Sequence, residues 1–164
     1  MDLIIKNGTI VTADTTYKGD IAVKDGKIKA IGQNLNPANH KDAEVVDAKG
    51  LYVLPGAIDG HTHLAMPFGG TISADDYEAG TRAAACGGTT TVFDFILQDF
   101  GENLVDAVKR RDAICAPQAV VDYAFHTGVK DLSGDLINSL EESVKYGVSS
   151  FKVFMVYDFG VTDG

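Results

Sequence analysis

Two histidines one residue apart, His61 and His63, follow the apolar stretch that begins at Ala57. The chain has 4 histidines in 164 residues, so half of them fall within one tripeptide. In a β-strand, residues i and i+2 point to the same face, so both imidazoles could reach one metal ion. Two surface or core histidines placed by chance are the alternative. At the end of the first strand of a repeated strand–helix array, where such folds carry their chemistry, the pair favours a metal site.

Lys152 is the second residue whose surroundings indicate chemistry. It lies in the stretch SSFKVFMVY, where its neighbours are apolar. An unpaired ammonium buried in such a strand costs several kcal/mol, and burial lowers the pKa of lysine towards the neutral, nucleophilic amine. Alternatively, Lys152 points outward and extends along the helix layer. The strand itself leaves both interpretations open.

The elements that must position these residues follow Pro55 and alternate between strand and helix. Apolar runs typical of buried strands occupy residues 57–63, 89–96, 119–127 and 149–156. Helical patterns occupy residues 74–88, 102–115 and 136–147. Strands that recur about every 30 residues indicate βα units and a parallel sheet, in either a doubly wound sheet or a (β/α)8 barrel. We expect an α/β fold with its helices outside a parallel sheet, and in a barrel these four units would be only half of the structure.

The residues before Pro55 have a different pattern of apolar and turn-forming residues. Short alternating runs are separated by turn signals, and Asp25-Gly26 stands between two β-branched runs. Such a dipeptide predicts a hairpin with a type I′ turn, since both central residues need positive φ. The change of pattern near Pro55 therefore predicts two parts, a small antiparallel sheet at 1–55 and four βα units at 56–164.

Composition excludes several classes of partner. The net charge is -9, whereas nucleic acid and anionic membrane surfaces require clustered Lys and Arg. No apolar segment approaches the roughly 20 residues of a membrane helix, and the N-terminus lacks the pattern of a signal peptide. Cys86 and Cys115 form no CxxC pair and fall in helical patterns, which suits reduced, buried thiols. These features predict a cytoplasmic protein.

The motifs in this order resemble one known family. DGHTHL, then MPFGGTISADDYEAGTRAAACGGTTTVFDF, and later GVSSFKVFMVYDFG are similar to the dihydropyrimidinase and D-hydantoinase branch of the metal-dependent amidohydrolases. The resemblance runs from the opening IIKNGTIV to Gly164. It implies a hydrolase that opens the ring of 5,6-dihydropyrimidines or hydantoins with a metal-activated hydroxide. It also implies two divalent metal ions, usually zinc, and a homotetramer.

The resemblance assigns roles to individual residues. His61 and His63 match the pair that binds the more buried metal, and Lys152 matches the lysine that reacts with carbon dioxide to form a carbamate bridging both metals. Such a carbamate is anionic, so the strand would no longer bury an unpaired ammonium. Tyr157 matches the catalytic tyrosine that hydrogen-bonds the substrate carbonyl and its oxyanion. Three further residues fall in the loops that wall the substituent pocket, namely Met66, Phe68 and Phe154.

Part of the family pattern lies outside these residues. Two more histidine ligands and a proton-shuttling aspartate come from later strands, and neither His40 nor His126 replaces them. For His126, which ends the third strand, a structural or supporting role is favoured. The resemblance therefore implies an N-terminal portion of a longer enzyme, inactive alone. We expect a small antiparallel β-sandwich part at 1–55 and the first four βα units of a (β/α)8 hydrolase barrel at 56–164, with two sheet edges unpaired.

Two alternatives remain for the function. Dihydroorotases carry arginine after the second histidine to bind a carboxylate, and here that position is Leu64, which favours an uncharged ring. Allantoinase is a closer alternative, because its substrate is also an uncharged hydantoin. From another class, some relatives have lost their metal ligands and act as cytosolic scaffolds. The presence of His61, His63, Lys152 and Tyr157 together argues against that role.

Overall fold

A computed structural model describes residues 1–132 and 134–155. Contacts within the chain divide it into two compact units, Met1–Pro55 and Gly56–Gly164. The longest helix in the described part of the chain has 12 residues, and none of the described helices is long and apolar enough to cross a bilayer.

The first unit is a single mixed sheet. Its strands are β1 (Leu3–Val11), β2 (Thr16–Lys24), β3 (Lys27–Gly32), β4 (Glu44–Asp47) and β5 (Tyr52–Val53). The antiparallel sheet expected from the sequence is present in β1 to β3. Strands β4 and β5 instead run parallel to β1, which the local pattern did not predict. The connection before β4 contains a short helical turn at Pro37–Asn39 and is long enough to return the chain to the same end of the sheet.

The predicted hairpin between β2 and β3 is confirmed. Asp25 and Gly26 have φ angles of 51° and 66°, the left-handed values that a type I′ turn needs at both central positions.

The second unit is a parallel sheet with helices between its strands. Its elements are β6 (Ala57–Thr62), β7 (Pro67–Phe68), β8 (Thr71–Ile72), α1 (Tyr77–Cys86), β9 (Thr89–Leu97), α2 (Leu104–Cys115), β10 (Asp122–Val129), α3 (Leu136–Tyr146) and β11 (Phe151–Val153). The four parallel strands lie in the order β6-β9-β10-β11, the same as their order in the chain. A doubly wound sheet reverses its strand order at a switch point, whereas a barrel adds each strand beside the last. The order therefore matches the first half of a (β/α)8 barrel.

Local sequence sets the ends of the helices. Each begins with a side chain that accepts a backbone N–H of the first turn, from Asp76, Asn103 and Asp135 for α1, α2 and α3. Gly147 ends α3 with a φ of 118°, the left-handed conformation that glycine adopts readily at a C-terminal cap. The boundaries of strands and helices otherwise lie within a few residues of the expected ones.

The core of the second unit packs the helices against one face of the sheet. It contains Tyr77, Ile96, Ala107, Val108, Cys115, Phe125 and Val148. Burial raises the pKa of the Cys115 thiol to about 12, so this cysteine behaves as a small apolar residue. Cys86 is also a free thiol, but it is exposed, so the expectation that both cysteines are buried is wrong for Cys86.

Candidate functional site

The two histidines at the end of β6 converge on one point. The Nε2 atoms of His61 and His63 are 3.1 Å apart, and the two rings meet edge to face with centroids 4.9 Å apart. Two imidazole nitrogens bound to one tetrahedral zinc ion, at about 2.0–2.1 Å each, would be about 3.3 Å apart. The described geometry is therefore close to that of two ligands of a single ion.

The ring of Phe95, from β9, lies beneath both histidines and beneath Lys152. Its centroid is 4.4 Å from that of His61 and 5.2 Å from that of His63. The Nζ atom of Lys152 is 4.8 Å from the same centroid and 5.1 Å from that of Phe154. Lys152 is therefore directed toward the histidines, so the alternative in which it extends outward along the helix layer does not describe this structure.

The electrostatic environment favours a neutral His63. Partial burial lowers the pKa of His63, and the positive charges of His61 and Lys152 lower it further, while Asp94 opposes the shift. A metal ion binds imidazole in its neutral form, so the lowered pKa favours the form that acts as a ligand.

The donor groups fit part of a metal site. Within the described residues, no group of three or more His, Cys, Asp or Glu side chains is placed to hold an ion. His61 and His63 supply two nitrogen donors at a fitting distance. An ammonium at Lys152 has no lone pair to offer, so this residue fits a metal only as a neutral amine or after conversion to an anionic carbamate.

A cavity of about 420 Å³ opens beside the histidines. Most of its wall is apolar, and it is lined by His63, Met66, Phe68, Thr71, Ile72, Ser73, Phe95, Leu97, Lys152 and Phe154. Its volume lies within the range of small-molecule sites, roughly 300–1,000 Å³. The three pocket residues expected from the sequence, Met66, Phe68 and Phe154, thus share one cavity with His63 and Lys152.

The hairpin of β7 and β8 forms one side of this cavity, and the sequence analysis did not predict it. Phe68 pairs with Thr71 across a tip made of Gly69 and Gly70, which have φ angles of 59° and 80°. A Gly-Gly pair between two short β-prone runs is a recognised hairpin signal. The runs PF and TI are only two residues long, so periodicity could not reveal them.

The sequence analysis related two further residues to the site, Tyr157 and Leu64. Tyr157 lies outside the described residues. The side chain of Leu64 packs into the helix layer, where a Cβ added to Gly80 would lie 2.3 Å from its Cδ2 atom. Leu64 is therefore not among the residues that line the described cavity.

His126 links strands on both sides of the site. Its Nε2 lies 3.1 Å from the carbonyl oxygen of Gly60, and its Nδ1 contacts Oγ of Ser150. A carbonyl only accepts, so Nε2 donates to Gly60; in the neutral ring, Nδ1 then accepts from the hydroxyl of Ser150. The ring also stacks on Phe93 at 5.1 Å. His126 thereby connects β6, which carries the histidine pair, with the residue just before β11, which carries Lys152.

The sequence analysis did not predict the buried polar cluster that lies behind the site. The carboxylate of Asp94, on β9, accepts the hydroxyl of Tyr77 and a guanidinium hydrogen of Arg111 at 3.2 Å. Burial raises the pKa of Tyr77 far above its usual value, as does its hydrogen bond to Asp94, so this phenol remains a donor. The signal was an aspartate within the apolar run VFDFI, where a buried carboxylate requires partners.

The sequence matches two protein-family models in succession. Residues 1–51 match the model of the urease alpha-subunit N-terminal domain, and residues 52–155, more than half of the chain, match the model of the amidohydrolase family. The chain belongs to the amidohydrolase family.

Relatives within this family share both sequence and fold. A D-hydantoinase from Geobacillus stearothermophilus is 48% identical over 100% of this chain and 35% of its own length. A D-hydantoinase crystal structure superposes with a TM-score of 0.91 at 50% identity, covering 98% of this chain and 34% of that one. The crystal structure of dihydropyrimidinase from Brevibacillus agri gives a TM-score of 0.91 at 45% identity, covering 99% and 35%. This amidohydrolase chain spans about a third of the length of the curated relatives it matches.

Proposed function

We propose that the protein carrying this chain is a metal-dependent cyclic amidase, which hydrolyses the ring amide of 5,6-dihydropyrimidines or hydantoins. The observation that carries the proposal is the convergence of His61, His63 and Lys152 on Phe95 at the edge of an apolar cavity. The names of the relatives, D-hydantoinase and dihydropyrimidinase, support the same substrate class.

In this proposal the site holds two divalent metal ions, of which zinc is the favoured candidate. His61 and His63 would hold one ion through Nε2, and Lys152, as a carbamate formed with carbon dioxide, would supply an anionic ligand. When bound, such ions make a nucleophilic hydroxide available near neutral pH and polarise the amide carbonyl. Partial burial lowers the pKa of His63, which favours its neutral, metal-binding form, and its ring lies against that of Phe95.

The remaining residues bind and orient the substrate. Tyr157 donates a hydrogen bond to the ring carbonyl and to the oxyanion that develops on it, a contribution commonly worth a few kcal/mol. Met66, Phe68 and Phe154 contact the substituent outside the ring. Beside Met66, Phe68 and Phe154, a carboxylate would lose its hydration against apolar side chains, which favours an uncharged ring.

The wider organisation belongs to the same proposal. Residues 1–55 contribute to a β-sandwich, and residues 56–164 are the first four βα units of the hydrolase barrel. We propose that the complete enzyme is a cytoplasmic homotetramer that binds neither nucleic acid nor membranes.

Ring opening by the complete protein tests the proposal directly. Dihydrouracil, unsubstituted hydantoin and allantoin are offered to protein loaded with zinc and bicarbonate. We expect turnover of at least one of them, and its loss in Lys152→Ala. Lys145→Ala serves as the matched control, because Lys145 is exposed on α3 and contacts only Glu141 among the ion pairs of the described residues. Bound metal without turnover of any cyclic amide would refute the substrate class, and absence of bound metal would favour a scaffold.

A further inference from the structure

Asp94 contacts the residues on both sides of His63. Its Oδ1 atom accepts the backbone N–H of Leu64 at 3.0 Å. The side-chain hydroxyl of Thr62 lies 3.4 Å from the same oxygen and 3.2 Å from the carbonyl oxygen of Phe93. One carboxylate oxygen therefore holds the peptide after this histidine and lies beside the side chain of the residue before it.

Arg111 binds the backbone carbonyls of the two residues that follow His63. Its guanidinium donates to the carbonyl of Leu64 and, at 3.1 Å, to the carbonyl of Ala65, while a third N–H lies 3.2 Å from Asp94 as an ion pair. Arg111 belongs to α2 and is 7% exposed. Because Asp94 neutralises it, this cation can be buried beside the backbone carbonyls that it binds.

The backbone at the clamped position is strained. Ala65 has a φ of 44°, in the left-handed region that residues with a Cβ rarely adopt. Such a conformation persists only where the surroundings determine it from several directions. The N–H of Ala65 is held by the carbonyl of Asp75 at 2.7 Å, and its carbonyl is held by Arg111.

We infer that Asp94 is a positioning residue for the metal site, acting with Tyr77 and Arg111 as a clamp that fixes the turn after His63 and so directs its imidazole toward that of His61. The inference rests on the proposed metal site and adds a buried support from three elements, β9, α1 and α2. Tyr77 completes the clamp by occupying the second oxygen of Asp94, and both residues are fully buried.

A role in core stability alone would not require this arrangement. Buried ion pairs contribute little net stability compared with well-packed apolar residues of similar volume. Apart from the side chains of Tyr77 and Arg111, Asp94 has two polar partners in the described part of the chain. These are Thr62 and Leu64, which lie on either side of His63. The hydrogen bonds of the clamp are thus directed to the histidine segment.

The test compares metal affinity in variants of the complete protein. Asp94→Asn keeps the size of the side chain but replaces one acceptor oxygen with a donor, so Tyr77 and Arg111 lose their partner. We expect zinc affinity, measured by competition with a chromogenic chelator, to fall by about 10-fold to 100-fold, as for other residues that orient metal ligands. The absorption bands of the cobalt-substituted protein should shift, since the ligand geometry changes.

Three further variants separate positioning from stability. Val108→Ala creates a cavity in the same core cluster and removes no hydrogen bond of the clamp, so it should leave zinc affinity and the cobalt spectrum unchanged. Adding Ala65→Gly to Asp94→Asn should restore part of the affinity, because glycine adopts the left-handed conformation without strain. Should Asp94→Asn fail to fold, Tyr77→Phe removes a single hydroxyl and should weaken binding by about 3-fold to 10-fold.

The outcomes distinguish this inference from the proposed function. If the wild-type protein binds zinc and both clamp variants bind it equally well, the inference is refuted and the metal site stands. An equal loss in Val108→Ala would also refute it, since stability alone would then account for the effect. If the wild-type protein binds no metal, both proposals fail.

Discussion

Replacing His126 with phenylalanine should separate its hydrogen bonds from its ring contacts. Phenylalanine preserves the stacking on Phe93 and Phe95, whose centroids lie 5.1 Å and 5.0 Å from the imidazole. It abolishes the hydrogen bonds to Gly60 and Ser150. The variant therefore tests whether His126 joins β6 to the start of β11 through its nitrogens.

The two hydrogen bonds differ in their expected strength. The bond to Ser150 is partly buried and should contribute about 1 kcal/mol. The bond to Gly60 is exposed to solvent, which can replace it, so about 0.5 kcal/mol is expected. His126→Phe should therefore lower the free energy of unfolding by about 1.5 kcal/mol. His126→Ala also loses the ring contacts and leaves a cavity, so its loss should reach about 3–4 kcal/mol.

Urea-induced unfolding of the complete protein measures both variants, and a double-mutant cycle isolates the contact with Ser150. His126→Phe and Ser150→Ala should show a coupling energy of about 1 kcal/mol. Ser149→Ala, at the neighbouring exposed position, provides the control and should be additive with His126→Phe. A loss of metal content in His126→Phe would be the functional counterpart, because the bridged strands carry His61 and Lys152.

Additive effects of His126→Phe and Ser150→Ala would refute this account, as would a His126→Phe variant with wild-type stability. In either case the stacked ring alone would explain the position of His126.

Two further predictions concern the pocket and the first unit. A Cβ at Gly128 would lie 2.9 Å from Cδ2 of Leu97, a residue of the cavity wall. Gly128→Ala should therefore displace this wall, lower the free energy of unfolding by about 1–3 kcal/mol, and raise KM more than it lowers kcat. An unchanged KM in steady-state assays would contradict this prediction. Burial alone would raise the pKa of Asp20, but the hydrogen bonds from Lys6 and two backbone N–H groups, together with the charge of Lys6, lower it overall. Because the pKa is lower in the folded state, this stabilisation is present above the unfolded pKa of about 3.9 and is lost as pH falls through the folded pKa. Asp20→Asn should therefore flatten the acid limb of a stability–pH curve, and an unaltered slope would show that Asp20 is not responsible.

Local patterns predicted most of the fold. The βα repeat after Pro55, the turn at Asp25-Gly26 and the cap at Gly147 all follow from periodicity and backbone preference. The parallel pairing of β4 and β5 with β1 does not, because it joins residues about 40 positions apart whose local sequences are compatible with either direction.

The site was predictable where a residue conflicts with its surroundings. Lys152 was a predicted site residue because it is a cation among apolar neighbours. The same reasoning applies to Asp94, a carboxylate in the apolar run VFDFI, which the sequence analysis did not predict. Its partners could not have been found in this way. Tyr77 and Arg111 have the ordinary appearance of helix residues, and only the packing of α1 and α2 against the sheet directs them to Asp94.

The sequential strand order has a consequence for how the protein assembles. Chains emerge from the ribosome N-terminus first, so β6 can be joined by β9, then β10, then β11, each pairing with a neighbour already made. His61 is on the first of these strands, His63 directly follows it, and Lys152 is on the last. A ligand that needs all three residues can therefore bind only after the three crossover helices have docked and the four strands have paired. Such a ligand would stabilise the completed four-stranded sheet, and it could not assist the first steps of strand pairing.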